Sequence, residues 1–161
     1  MSKQTKAAFH IVVGLSLVLV GSGAAQAADN LLGTWKLNIT KSKYSPGPAP
    51  KSSTTRWATV PAGGLKITSD GVDAAGKSTH TEIVTMFDGK EAELKGAAAP
   101  TTRLYSRIDD HTYEFVTRVN GKVTTTSRGT NSADGKTRTL VTTGTTPDGK
   151  AVNNTAVYDR Q

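Results

Sequence analysis

The stretch "GVDAAGKS", Gly71 to Ser78, matches G-x-x-x-x-G-K-[ST], the spacing of loops that wrap nucleotide phosphates. That chemistry needs a buried apolar strand before the loop. It also needs a helix after it, whose first N–H groups face the phosphate. Here the half-polar "LKITSD" precedes Gly71, and "STHTEIVTMF" follows Lys77 with alternating β-branched residues. Neither flank fits, so Gly76-Lys77 reads as a hairpin turn and no nucleotide is expected. Other chemistry is sparse. Cys is absent, which removes thiolate nucleophiles and disulfides. His80 and His111 have no second ligand at metal-binding spacing, so neither a metal nor a cofactor is expected. No G-x-S-x-G elbow occurs, and Glu82, Glu91, Glu93 and Glu114 form no identifiable acid–base pair. The expectation is a non-catalytic protein with no catalytic residue.

Positioning comes from an all-β pattern. "TYEFVTRVN" sets Tyr113, Phe115, Thr117 and Val119 against Thr112, Glu114, Val116 and Arg118. "STHTEIVTMF" does the same with Thr81, Ile83, Thr85 and Phe87. Period-two alternation of β-branched and aromatic residues predicts two-faced strands. "AGK" at Ala75, "DGK" at Asp88, "NGK" at Asn120 and "DGK" at Asp134 and Asp148 supply the tight turns. Roughly ten strands follow in series, of ordinary length. A meander that long curls shut to protect its edges, which predicts an up-and-down antiparallel barrel. "KSKYSPGPAPKS", Lys41 to Ser52, carries three prolines and predicts an irregular surface loop into which Tyr44 tucks.

Residues 1–27 read as a signal peptide forming a short N-terminal helix. Lys3 and Lys6 lead, Ala7 to Val20 is apolar, and "AQA" offers small residues for cleavage between Ala27 and Ala28. The apolar run is shorter than the roughly 20 residues that span a bilayer, so no membrane anchor is expected after cleavage. Residues 28–161 then form one domain, periplasmic or secreted. The whole chain has 161 residues and a net charge of +7, two units of which leave with Lys3 and Lys6. The remaining basic residues are scattered singly among acids, without the clustered pattern of a nucleic-acid surface, so no nucleic-acid partner is expected.

Gly33, Thr34 and Trp35 in "LLGTWKLNITKSKY" resemble the G-x-W signature of the calycin barrels, the lipocalins, avidins and fatty-acid-binding proteins. "GTWKL" and the closing "TAVYDRQ" are most similar to the fatty-acid-binding branch. The resemblance implies a calycin-like barrel in which Trp35 stacks with Arg160 to seal one end. "GTWKLNITKSKYSPGPAPKS", "SADGKTRTL" and "DGKAVNNTAVYDRQ" also resemble a group of small exported bacterial proteins of uncharacterised function. The chain departs from the lipid carriers at two places. The proline-rich loop stands where they carry a two-helix lid, and Ala156 stands where they place an arginine two residues before Tyr158.

A barrel of about ten strands is wider than side chains readily fill, which predicts a cavity for a small apolar or amphipathic ligand. Tyr105, Tyr113, Phe115 and Tyr158 are its candidate lining. Arg103, Tyr105 and Arg107 share one strand face. Facing inward, it would suit an anionic or amphipathic ligand; facing outward, the orientation favoured by the cost of burying unpaired guanidinium, it presents solvated charges. The alternative is a filled barrel acting as a surface interaction or structural protein of the cell envelope, its partner an envelope protein, an inhibitor target or a polysaccharide.

Overall fold

The computed structural model describes residues 29–161. The expected signal peptide of residues 1–27, with its short helix and Ala27–Ala28 cleavage position, lies outside them. Ten strands run in series: β1 Gly33–Leu37, β2 Ser52–Thr59, β3 Leu65–Val72, β4 Ser78–Thr85, β5 Glu91–Glu93, β6 Thr101–Arg107, β7 Thr112–Val119, β8 Lys122–Asn131, β9 Thr137–Thr145 and β10 Ala151–Arg160. Every pairing is antiparallel, and the spatial order is β4-β3-β2-β1-β10-β9-β8-β7-β6-β5. Chain neighbours are therefore sheet neighbours except at β4 and β5, and β10 returns to pair with β1. This is the up-and-down meander expected from the alternation and turns.

The barrel is nearly closed. β4 and β5 share no strand ladder and meet at one bridge. There the Glu82 N–H donates to the Lys95 carbonyl at 3.1 Å, and the Lys95 N–H returns the bond at 2.9 Å. Gly96 permits the approach, since a Cβ there would sit 2.2 Å from the His80 carbonyl oxygen.

The "GK" turns explain the connections. Gly76, Gly89, Gly121, Gly135 and Gly149 all take positive φ, which glycine adopts without steric cost. At the β7–β8 hairpin Asn120 joins Gly121 at positive φ, and Val119 pairs directly with Lys122. That two-residue loop matches the twist of the strands it joins. Gly71 lies inside β3 rather than in a phosphate loop, and β4 begins at Ser78 where a phosphate-binding helix would have to start.

Between the 3₁₀ turn Ile39–Lys41 and β2 the proline segment is irregular, with one bridge from Lys43 to Thr155. Tyr44 is half-buried beside Tyr158, and burial pushes its phenol up to about 12. The buried apolar cluster packs inside the barrel. It comprises Leu31, Trp35, Trp57, Leu65, Ile67, Ile83 and Leu94 together with Tyr105, Tyr113 and Phe115 from β6 and β7.

Candidate functional site

Inward positions follow from register. Leu37 faces Tyr158, Tyr158 faces Arg138, and Arg138 faces Asn131 across successive strands. One layer further along, Tyr113 faces Gly129, Gly129 faces Leu140, and Leu140 faces Ala156. Residues directly opposite in an antiparallel pair share a face, so these rows line the interior. Large and small alternate within the second row, which lets the Tyr113 ring lie over Gly129.

A cavity of about 130 Å³ remains inside. Tyr105, Tyr113, Phe115 and Tyr158, the four residues expected as its lining, all border it. The Tyr105 and Phe115 rings sit 4.8 Å apart, and Tyr113 lies 4.7 Å from Trp57. Burial raises the phenols of Tyr113 and Tyr158 above their ordinary range, so both remain protonated donors at neutral pH.

Arg103 corrects the sequence expectation for its strand face. That face points inward: Tyr105 is buried and Arg103 lines the cavity, its guanidinium carbon 4.7 Å from the Phe115 centroid. The aromatic face supplies part of what water would have given the charge, an effect that grows with desolvation. Only Arg107, at the strand end, reaches solvent. It holds Asp29 through two hydrogen bonds, 2.7 and 2.9 Å long.

Arg138 was not anticipated from the sequence. It is 2% exposed, and its guanidinium carbon lies 4.1 Å from the Trp35 centroid, 4.3 Å from Trp57 and 5.3 Å from Tyr113. Its Nε donates to Asn131 Oδ1 at 2.8 Å and its Nη2 to the Leu31 carbonyl at 2.7 Å. Burial lowers its pKa, yet a guanidinium starts so high that it stays charged at neutral pH. Its charge suggested a surface position. The contrary signal is its alternation with Leu140 in "TRTL", which puts it on the apolar side of β9.

Sealing of the barrel end therefore involves two arginines. Arg160, opposite Trp35 in register, lies 4.8 Å from the Trp35 centroid and donates to the Leu32 carbonyl. This is the contact the Gly-x-Trp resemblance implied, made from the exposed side. Arg138 makes the closer contact from inside.

The remaining chemistry-bearing side chains are dispersed. Glu82 pairs with Lys66 at 2.6 Å, Glu91 with Arg118 at 2.7 Å and Glu114 with Arg128 at 2.6 Å. A hydrogen bond from Lys66 lowers the Glu82 pKa and one from Thr102 lowers that of Glu91, so both carboxyls stay ionised. His80 contacts Asp70 at 2.6 Å, while His111 lies 3.4 Å from Asn30. Among the described residues, no group of three or more His, Cys, Asp or Glu is placed to hold a metal ion. No protein-family model and no curated protein matches the chain.

Proposed function

We propose that this protein is an exported, non-catalytic binding protein that holds a small apolar or amphipathic molecule inside its barrel. The observation that carries the reading is the interior cavity, walled by Tyr105, Tyr113, Phe115 and Tyr158. Aromatic walls with a few convergent polar groups are the usual make-up of a small-molecule site. At about 130 Å³ the space is smaller than the roughly 300–1,000 Å³ common for drug-sized ligands, so the ligand is compact. Export rests on the leader pattern of residues 1–27. Native mass spectrometry of protein isolated from its source tests the reading: a co-purified small molecule supports it. An empty barrel that also takes up no small aromatic probe overturns it.

A second reading is a filled barrel acting through its surface on an envelope protein. It draws on the modest interior volume and on a larger outer groove of about 530 Å³, built by Glu91–Thr102 and Gly121 at the β5–β6 end. Substitutions at Ala98 and Pro100 that abolish capture of an envelope component, with interior probes still unbound, would favour this reading.

A further inference from the structure

The interior cavity is lined by two guanidinium groups and no acidic side chain. Arg138 uses Nε and Nη2 on Asn131 and Leu31, while its buried Nη1 has no partner. The Nε of Arg103 is likewise buried without a partner. Three aromatic rings, Trp35, Trp57 and Tyr113, stand 4.1, 4.3 and 5.3 Å from the Arg138 guanidinium carbon without supplying Nη1 an acceptor. Two guanidinium groups thus line one interior space, each with a buried donor that has no partner, and the lining holds no counter-charge. An unpaired buried donor is costly, and an unpaired buried cation more so.

We propose that this cavity is an anion site whose ligand is a compact carboxylate with an apolar body, bridging the free donors of Arg103 and Arg138. The proposal rests on the reading that the barrel carries a ligand, and it names the class of that ligand. A cavity of about 130 Å³ holds roughly four waters or one benzene-sized body, so a ring or a short branched chain fits and a long acyl chain does not. Trp57, Ile67, Phe115 and Leu140 form apolar wall. They favour an organic carboxylate over an inorganic oxyanion, which would leave those surfaces facing a hydrated ion. Tyr158 lines the same cavity and adds a further polar group to its wall.

Calorimetric titration with benzoate, benzyl alcohol and inorganic phosphate tests the proposal, using the parent protein and Arg103→Gln. Arg103 is the informative position, because Arg138 also holds the barrel end together. Benzoate should bind the parent protein best of the three. Arg103→Gln should weaken it roughly tenfold to a hundredfold, as loss of one charged hydrogen bond does, with benzyl alcohol little affected. Circular dichroism of the variant checks that its fold is intact. If benzoate and benzyl alcohol bind the parent equally, or Arg103→Gln leaves benzoate unchanged, the anion site is refuted while the ligand-carrier reading survives. Phosphate binding more tightly than benzoate refutes the organic carboxylate. If none of the three binds, both the site and the carrier reading fall.

Discussion

Gly129→Ala is the most discriminating single change in the interior. Gly129 lies in β8 opposite Tyr113, and a Cβ there would stand 2.2 Å from the tyrosine Cζ and 2.4 Å from its hydroxyl oxygen. The ring has little room to withdraw. Trp57 lies 4.7 Å from it, Phe115 stacks at 6.4 Å, and the Arg138 guanidinium stands 5.3 Å away. Overpacking of this kind costs about 1–3 kcal/mol. Gly129 does not take positive φ, so alanine also returns about 0.4–1 kcal/mol by restricting the unfolded chain. The net expectation is a destabilisation of about 0.5–2 kcal/mol, a fall in Tm of roughly 2–8 °C for a domain of this size. Urea and thermal unfolding measure it. The control is the same change in a Tyr113→Leu background, where the clash is absent and alanine should be neutral or slightly stabilising. Gly129→Ala at or above parent stability would refute the reasoning, as would an equal loss in both backgrounds.

Trp35→Ala should cost about 3–5 kcal/mol, because a fully buried indole under two guanidinium groups is removed. Arg160→Gln should cost only about 0.5–1 kcal/mol, since that contact is made from the exposed side. Denaturant unfolding of both variants checks the difference, and equal losses would undo the assignment of Arg138 as the inner seal. For Asp29, burial raises the pKa but the hydrogen bonds and charge of Arg107 outweigh it, so the folded value lies below the ordinary 3.8. Its stabilisation is therefore complete above about pH 4 and disappears as pH falls through the depressed folded value. A double-mutant cycle of Asp29→Asn with Arg107→Gln should give about 0.2–1 kcal/mol at pH 7 and less in high salt. Coupling that persists undiminished at pH 2 would contradict it. Magnesium and ATP at millimolar levels should leave Tm unchanged in the parent and in Lys77→Ala. A ligand-dependent rise lost in that variant would restore the phosphate loop at Gly71–Ser78.

Strand count, order and turns were legible because two local signals agree. Alternation in "TYEFVTRVN" fixes which residues share a face, and Asn120-Gly121 fixes where the chain reverses. Tyr113 and Phe115 as wall residues follow from the same alternation, whereas Tyr158 was pointed to by the resemblance of the closing "TAVYDRQ". What failed was the orientation of β6. The sequence shows Arg103 and Arg107 on the side of Tyr105, and desolvation argues against burying both. The structure resolves the conflict along the strand, since Arg107 projects at the rim against Asp29 while Arg103 lies on Phe115. Arg138 was hidden for a related reason. Its π partners come from β1, β2 and β7, and such long-range contacts leave no trace in a local window. The 130 Å³ volume is likewise set by how Trp57, Tyr105 and Tyr113 interdigitate, which strand pattern does not encode.

The two interior arginines occupy different positions on one physical scale. Arg138 is held on three π faces and two oxygen acceptors, so most of its desolvation is offset before any ligand arrives. Its charge is fixed in place as part of the barrel end. Arg103 has one aromatic contact and no oxygen acceptor at its buried Nε, so less is offset. A group left in that state gains more from an incoming anion than one with a single open donor, such as Arg138 at Nη1, and it loses less stability when replaced. The same asymmetry explains why charge can be tolerated in a core with so few large hydrophobics. Aromatic faces and inward hydroxyls such as Ser127, bonded to Thr142 at 2.8 Å, let the interior stay polar without leaving every polar group unmet. The barrel is thereby divided between an end that the Trp35–Arg138 stack closes and a middle where a spare guanidinium donor and aromatic walls face open space.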